Sequence, residues 1–229
     1  GIGRHSRPWE NKTLKCDAMR WAMMVLIGAV LVAGCYVYVD VPLARWAHQH
    51  QLRQYGLFHG LQALADGLVL LAPVALLVVG WRRVRGSIAP GDRVALRAAL
   101  SVLGVSLLKY PLKFAFGRTW PATFYQNNPS LLHDNVYGFH PFHGGVAYGA
   151  FPSGHAAVAA AVATVLWVYC PRYRVLAVGL WAAVAVGLLG AYYHFAGDVV
   201  GGTLLGVLVA SLVSCFDVPA PEKRPPHRD

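Results

Sequence analysis

Three groups of reactive side chains lie at the ends of long apolar segments. Ionisable side chains are costly next to hydrocarbon, so where they recur at membrane edges they usually mark a functional site. Two cations, a turn typical of a helix start and two histidines, one of them near a carboxylate, suit the transfer of a phosphoryl group. The three groups are Lys113 with Arg118, the Pro-Ser-Gly-His turn at 152–155, and His194 with Asp198.

The turn at 152–155 precedes an Ala-rich run, residues 156–163. Pro and Ser favour a helix start, where unpaired backbone N–H groups and the positive end of the helix dipole attract an anion. Gly154 lets the backbone approach a phosphate closely. His155 then lies in the first helical turn, where it can give a proton to a leaving oxygen. The alternative is an ordinary helix cap with an interfacial histidine.

His194 and Asp198 are four residues apart, so a helix places them on one face and within reach of each other. An Asp that accepts a hydrogen bond from one imidazole nitrogen fixes the tautomer and leaves the other nitrogen free to attack phosphorus. The alternative is a structural hydrogen-bonded pair. Beside lipid, such a pair is a costly way to stabilise packing, which favours function.

Lys113 and Arg118 end the third apolar segment. They can hold the equatorial phosphate oxygens, where negative charge accumulates in the transition state of phosphoryl transfer. The alternative is that both are cations that extend from an apolar segment to the membrane interface. Lys109, one helical turn earlier, is assigned to this interfacial class.

The elements that must position these residues are membrane helices. The chain has 229 residues, of which 56% are hydrophobic and only 13% are charged, too apolar for an ordinary soluble domain. Segments of about 20 apolar residues can span a bilayer as helices. We therefore predict an all-α fold, an integral membrane bundle of six helices. The predicted spans are 21–39, 61–80, 95–116, 153–170, 175–193 and 197–216.

The distribution of Lys and Arg predicts the orientation of this bundle. Basic residues concentrate before span one, between spans two and three, between spans four and five, and after span six. These regions share one side, which the positive-inside rule makes cytoplasmic. Both termini are then cytoplasmic, and the three reactive groups face outward. The net charge of +10 is dispersed over short loops and tails, which argues against a nucleic-acid partner.

The predicted organisation is a basic cytoplasmic tail over 1–20, the bundle over 21–216 with an outer loop at 117–151, and a Pro-rich cytoplasmic tail over 217–229. The outer loop offers an alternative chemistry, a metal site. Aromatic and Pro neighbours argue against the regular helix that such ligands would need, so neither a metal nor another cofactor is expected. The candidate ligands are His133, Asp134, His140 and His143.

Together the three groups resemble the signatures of the type 2 phosphatidic acid phosphatase family of membrane lipid phosphatases. The pattern in that family is Lys, six residues and Arg-Pro; then Pro-Ser-Gly-His; then Ser-Arg, five residues, His, three residues and Asp. The turn at 152–155 matches the second signature fully. The spacing of the other two is kept by Lys113 with Pro121 and by His194 with Asp198.

The sequence departs from this pattern where the family has arginines. Trp120 stands in place of the first, and Gly-Leu at 187–188 stands in place of Ser-Arg. Arg118 is expected to take over one phosphate contact, and His140 or His143 could supply the other. Each charge-assisted bidentate contact contributes to charge stabilisation, so these losses predict an activity that is weak, specialised or absent.

The resemblance implies a metal-free mechanism through a phosphohistidine. His194 is then the nucleophile, Asp198 its orienting partner and His155 the acid that protonates the leaving group. The implied phosphate-binding residues are Lys113, Arg118, Ser153 and Gly154.

The first hypothesis is a phosphatase that hydrolyses a lipid phosphate monoester or pyrophosphate presented from the outer leaflet. A polyprenyl pyrophosphate, a phosphatidyl headgroup phosphate and a lipid A phosphate fit equally well. The alternatives are a lipid phosphotransferase and a non-catalytic binder or transporter of lipid phosphates. The expected location is a bacterial inner membrane, with the active site facing the periplasm.

Overall fold

The computed structural model describes residues 18–87, 89 and 91–216, and in this part of the chain the secondary structure is helical, with no named strand. The tails predicted over 1–20 and 217–229 lie outside the described residues, except for 18–20. The α-helices are α1 Ala18–Gly34, α2 Asp40–Gln49, α3 Gly56–Val84, α4 Asp92–Phe116, α5 Leu131–Asp134, α6 Gly154–Tyr169, α7 Arg174–Gly190 and α8 Ala196–Cys215.

Five helical segments in the described ranges are long and apolar enough to cross a membrane. They confirm the prediction of an all-α integral membrane fold for five of the expected spans. The sixth, predicted over 153–170, is the 16-residue helix α6, shorter than the usual length of about 20 residues. The five segments are Ala18–Gln49, Gly56–Val84, Asp92–Phe116, Pro171–Gly190 and Ala196–Cys215.

Helix α6 is the centre of the bundle, since it packs against α3, α4, α7 and α8. Its Ala-rich run over 156–162 is buried, and the small side chains let neighbouring backbones come close. Two glycines of α8 face it. A Cβ on Gly202 would lie 2.3 Å from the carbonyl oxygen of Ser153, and one on Gly206 would lie 2.2 Å from that of Ala157. Both glycines therefore allow α8 to pack closely on α6.

Helices α1 and α2 are joined by a π-helical turn, Cys35–Val39, in which Asp40 N–H bonds the carbonyl oxygen of Cys35. Pro42 follows this turn and has no backbone N–H, so it cannot donate the hydrogen bond to the preceding turn that a regular α-helix would have there. Single π-helical turns of this kind often occur at functional sites. Here the turn directs Asp40 into the protein, where it is 1% exposed and accepts a hydrogen bond from Gly197 N–H at 2.8 Å.

The order of the helices explains why the reactive groups meet. Helix α4 ends at the same end of the bundle at which α6 and α8 begin, because the successive long helices α4, α6, α7 and α8 alternate in direction. The outer loop between α4 and α6 folds over this end. Its backbone is tied to the end of α4 by hydrogen bonds from His140 N–H to Gly117 and from Ala150 N–H to Arg118.

Candidate active site

A cleft of about 180 Å³ opens between α3, α4, α6 and the segment that precedes α8. Its walls combine apolar side chains with cations, two imidazoles and one carboxylate. A cleft that carries a few convergent polar groups is typical of a small-molecule site. The polar and aromatic residues that line it are Asp66, Lys109, Lys113, Trp120, His155, Tyr193 and His194, with Gly154 at the start of α6.

His194 lies in the turn between α7 and α8, with only 3% of its surface exposed. Its Nδ1 is 3.3 Å from Oδ2 of Asp198, so its Nε2 is the nitrogen left for the cleft. The same Asp198 oxygen accepts a hydrogen bond from Phe195 N–H at 2.9 Å, which fixes the carboxylate at the start of α8. Burial lowers the pKa of His194 to about 4 despite the neighbouring carboxylate, so its imidazole is neutral at physiological pH.

Arg118 lies behind Asp198 and not in the wall of the cleft. Its guanidinium is fully buried and donates to Oδ1 of Asp198 at 2.8 Å and to Oδ2 of Asp40 at 2.5 Å. The rings of Phe139 and Phe195 cover it, each 4.7 Å from the guanidinium carbon. The guanidinium of Arg118, expected to contact phosphate, therefore does not line the cleft, because its Nη1 and Nη2 are directed to the two buried carboxylates.

The Pro-Ser-Gly-His turn forms the start of α6, as predicted. Ser153 is buried, and its Oγ accepts a hydrogen bond from Ala156 N–H at 3.4 Å as the helix cap, so its hydroxyl does not line the cleft. Gly154 does line it, beside the side chain of Lys109. His155 also lines it, with Nε2 located 3.1 Å from Oδ1 of Asp66 on α3.

Two lysines of α4 supply the positive charge of the cleft. Lys113 donates to the carbonyl oxygen of Gly149, and its Nζ lies 5.5 Å from the centre of the Trp120 ring. Lys109, which the sequence assigned to the membrane interface, lines the same cleft. The spacing of four residues was the signal that could have identified it, because it places both lysines on one helix face.

Apolar side chains occupy the two positions at which the family pattern has arginine. Trp120 is 5% exposed, its Nε1–H donates to the carbonyl oxygen of Val146 at 2.7 Å, and its ring centre lies 5.1 Å from that of His194. Leu188 is fully buried and packs in a cluster with Ala65 and Ala156. The indole therefore forms one wall of the cleft, whereas Leu188 belongs to the core beneath it.

The histidines of the outer loop do not reach the cleft. His133 pairs with its neighbour Asp134 at 2.8 Å on the protein surface. His140 and His143 pack their rings against Tyr148, with centres 5.2 Å away in both cases. Among the described residues, no group of three or more potential metal-ligating side chains is present.

The geometry thus gathers most of the residues that the sequence singled out. His155, His194, Lys113 and Gly154 line one cleft, and Asp198 contacts His194. The remaining two, Ser153 and Arg118, lie one layer behind. Sequence reasoning missed Lys109 as a cleft residue, and it missed Asp40 and Asp66 altogether as members of the arrangement.

Fold and cleft together define a class: a helical integral membrane protein with two histidines and two lysines gathered in one cleft. Residues 94–220, more than half of the chain, match the PAP2 superfamily. The chain therefore belongs to that superfamily, which confirms the resemblance to the type 2 phosphatidic acid phosphatases.

Two curated relatives are similar over part of their length. A lipid A 1-phosphatase of Rhizobium etli is 34% identical over 109 residues, which is 46% of this chain and 43% of the relative. A lipid A 1-phosphatase of Rhizobium johnstonii is 32% identical over 117 residues, which is 50% of this chain and 44% of the relative. The chain thus matches less than half the length of either protein.

One solved structure has a similar fold. It is the transmembrane PAP2-type phosphatidylglycerolphosphate phosphatase from Bacillus subtilis, at a TM-score of 0.52 and 19% sequence identity. The match covers 84% of this chain and 93% of that chain. At this identity the likeness concerns the fold, and the fold is that of a transmembrane PAP2 protein.

Proposed function

We propose that this protein is a membrane phosphatase that hydrolyses a lipid phosphate monoester or pyrophosphate through a phosphohistidine on His194. One observation carries the proposal: two imidazoles from different helices line one cleft with two lysines, and a buried carboxylate backs the more buried imidazole. A neutral nucleophile, a proton donor and cations are the parts that metal-independent phosphoryl transfer requires.

In the first step, Nε2 of His194 attacks phosphorus, a P–N bond forms and the P–O bond to the lipid breaks. The electron pair goes to the leaving oxygen, which takes a proton from the imidazolium of His155. In the second step, water attacks phosphorus, His155 takes a proton from that water, and the P–N bond breaks to release inorganic phosphate. Asp198 holds the ring of His194 through Nδ1 and stabilises the positive charge that develops on it.

Lys109 and Lys113 balance the negative charge of the phosphate. The start of α6 contributes backbone N–H groups as hydrogen-bond donors, and the positive end of its helix dipole also attracts the phosphate. Gly154 contributes by its small size, because its backbone borders the cleft beside Lys109. The capping hydroxyl of Ser153 supports this turn from behind instead of binding phosphate directly.

Arg118 has a positioning role in this mechanism, not the phosphate contact that its sequence position suggested. Its two ion pairs leave its guanidinium enclosed, with one carboxylate from α2 and one from α8. It therefore fixes the orientation of Asp198, which in turn orients His194. A buried pair of this kind demands good geometry, and removal of one partner leaves an uncompensated charge.

In this proposal the protein is a six-helix domain of a bacterial inner membrane, with both termini in the cytoplasm. The cleft faces the periplasm, and the substrate reaches it from the outer leaflet. The excess of Lys and Arg on the opposite side supports this orientation. The two curated relatives are named lipid A 1-phosphatases, so a lipid A 1-phosphate is the first substrate to test. The bilayer and the lipid phosphate are the only partners that the mechanism needs.

The test is phosphate release by the purified protein from a panel of lipid A 1-phosphate, phosphatidic acid, phosphatidylglycerol phosphate and a polyprenyl pyrophosphate. We expect turnover of at least one lipid, and a loss of at least about 1000-fold in both His194→Ala and His155→Ala. Turnover that survives in His194→Ala contradicts the proposal. Transfer of labelled phosphate to a second lipid, instead of release, identifies a phosphotransferase.

A second candidate, a lipid-phosphate binder without turnover, is favoured by one observation. Trp120 and Leu188 occupy the positions of two family arginines, so the cleft holds fewer phosphate-binding cations than the family pattern provides. Binding of a phospholipid without hydrolysis of any lipid in the panel would establish this candidate and exclude the phosphatase.

A further inference from the structure

Asp66 is a carboxylate inside a long apolar helix, and the mechanism above leaves it without a role. It belongs to α3, one of the segments apolar enough to cross a membrane. Ionisable residues in such helices are rare, usually face a cavity or the bundle interior, and usually serve a function. Asp66 faces the cleft, and it is the one carboxylate among the described residues that line it.

The partner of Asp66 is the imidazole of His155. Oδ1 of Asp66 lies 3.1 Å from Nε2 of His155, and the two side chains are 64% and 28% exposed. Other charged or titratable groups near this ring are Lys109 and Lys113 of α4, His194, and Tyr193, whose ring centre lies 6.3 Å away. Among these neighbours of the ring, Asp66 is the one that carries a carboxylate.

Close packing of α3 on α7 places Asp66 at the cleft. A Cβ on Gly187 of α7 would lie 2.6 Å from the backbone nitrogen of Gln62, so only glycine allows α3 to come this near. The next residue, Leu188, is buried against Ala65, the neighbour of Asp66. The same Gly-Leu pair that departs from the family pattern thus forms the surface on which the carboxylate-bearing part of α3 rests.

We propose that Asp66 is a positioning residue for the general acid: it accepts a hydrogen bond from Nε2–H of His155 and holds this ring as proton donor through Nδ1. The inference rests on the proposed function. When the P–O bond breaks, the proton on Nδ1 passes to the leaving oxygen, and the neutral ring keeps its Nε2–H on Asp66. In the hydrolysis step, Nδ1 takes a proton from the attacking water.

The cleft then contains two Asp–His pairs with separate tasks. Asp198 and His194 serve nucleophilic attack, whereas Asp66 and His155 serve departure of the alcohol. Asp66 precedes residues 94–220, the region that matches the superfamily, whereas its partner His155 lies within that region.

Leaving-group chemistry tests this assignment. A p-nitrophenolate ion leaves without protonation, whereas the alkoxide of dioctanoyl phosphatidic acid needs a proton. We compare kcat/KM for these two probes in the purified full chain and in Asp66→Asn, Asp66→Glu and His155→Ala. The matched control is Asp134→Asn, which removes a carboxylate from the exposed Asp–His pair of the outer loop.

We expect Asp66→Asn to lower kcat/KM for the alkyl ester by about 30-fold or more and for the aryl ester by less than about 3-fold. His155→Ala should show the same selectivity, Asp66→Glu should recover part of the loss, and Asp134→Asn should remain within about 2-fold of wild type for both probes. The ratio of the kcat/KM values for the two probes does not depend on the fraction of protein that folds.

If Asp66→Asn lowers kcat/KM equally for both probes, or for neither, the inference is overturned. The phosphatase proposal then stays intact, provided that wild type hydrolyses the probes and His194→Ala does not. A wild-type protein that hydrolyses neither the probes nor any lipid of the panel overturns the proposed function, and the inference with it.

Discussion

At the residue scale, the two histidines of the cleft differ in burial, and this difference fits the separate roles proposed for them. His194 is enclosed by Trp120, Tyr193 and the start of α8, whereas His155 is part of the open wall of the cleft. Desolvation penalises the charged form of an imidazole, so the enclosed ring is kept neutral, as a nucleophile must be. The ring of His155, with 28% of its side chain exposed, lies in the cleft beside Asp66, where it can give a proton to a leaving group.

The lowered pKa of His194 predicts how stability depends on pH. An unfolded chain protonates this histidine near pH 6.5, but the folded protein does so only near pH 4. Protons therefore bind preferentially to the unfolded state in this window, and the folded protein loses stability as pH falls from about 6.5 to about 4. Thermal unfolding midpoints in detergent should fall more steeply in wild type than in His194→Gln. Parallel pH profiles for the two proteins would contradict the lowered pKa.

The two lysines of the cleft predict a loss of substrate binding and turnover when either charge is removed. Each charge-assisted contact with phosphate contributes to ground-state and transition-state binding. We expect Lys109→Gln and Lys113→Gln each to lower kcat/KM for the best lipid substrate by about 10- to 100-fold.

Arg45→Gln is the control for this prediction, because it removes an exposed cation of α2 that does not line the cleft. It should leave kcat/KM within about 2-fold of wild type. A Lys109→Gln protein with the same kinetics as Arg45→Gln would return Lys109 to the membrane-interface role that its sequence first suggested.

At the element scale, the first two helices take part in the site although they precede the superfamily match. Asp40, directed inward by the π-helical turn, binds Arg118 and the backbone N–H of Gly197, and the Tyr137 hydroxyl also donates to it at 3.2 Å. A chain of contacts thus runs from α2 through Arg118 and Asp198 to His194. Helix α2 is therefore part of the support of His194, the proposed nucleophile.

This chain of contacts predicts that Asp40→Asn impairs catalysis from a distance. Loss of this carboxylate removes the ion pair that holds the guanidinium of Arg118 from the side of α2, so the orientation of Arg118 against Asp198 is less firmly fixed. We expect kcat, normalised to the monodisperse folded fraction, to fall by about 10-fold or more. Asp92→Asn breaks the Arg82 ion pair of 2.9 Å at the other end of α4 and is the matched control. A folded Asp40→Asn protein with full kcat would contradict the positioning role of Arg118.

Sequence patterns predicted the helices and the residues inside the three signatures, because spacing along a helix fixes which side chains share a face. They could not predict the partners that other helices bring. Whether Arg118 meets a phosphate or Asp40, and whether Asp66 meets lipid or His155, depends on how α2 and α3 pack against the rest. The shortness of α6 was missed for a related reason: an Ala-rich buried helix and a membrane span have the same composition.

At the scale of the whole molecule, the proposed orientation places the cleft and the outer loop on the periplasmic side. The loop between α3 and α4 is then cytoplasmic. Cysteines introduced at the exposed positions Gln126 and Ser87 report on the two sides. In intact spheroplasts, a membrane-impermeant maleimide should label Gln126→Cys above the wild-type background. Ser87→Cys should react only after lysis, and the opposite pattern would contradict the orientation.

The central claim is that His194 carries the phosphoryl group, and trapping of the labelled intermediate at alkaline pH tests it most directly. Wild-type protein is mixed with a lipid phosphate labelled with ³²P in the transferred group, quenched in denaturant at alkaline pH, where phosphohistidine survives, and digested for peptide mapping. The account predicts label on the peptide that contains His194, less label in Asp198→Asn and none in His194→Ala. Turnover without any labelled histidine, or label on His155 instead, would contradict it.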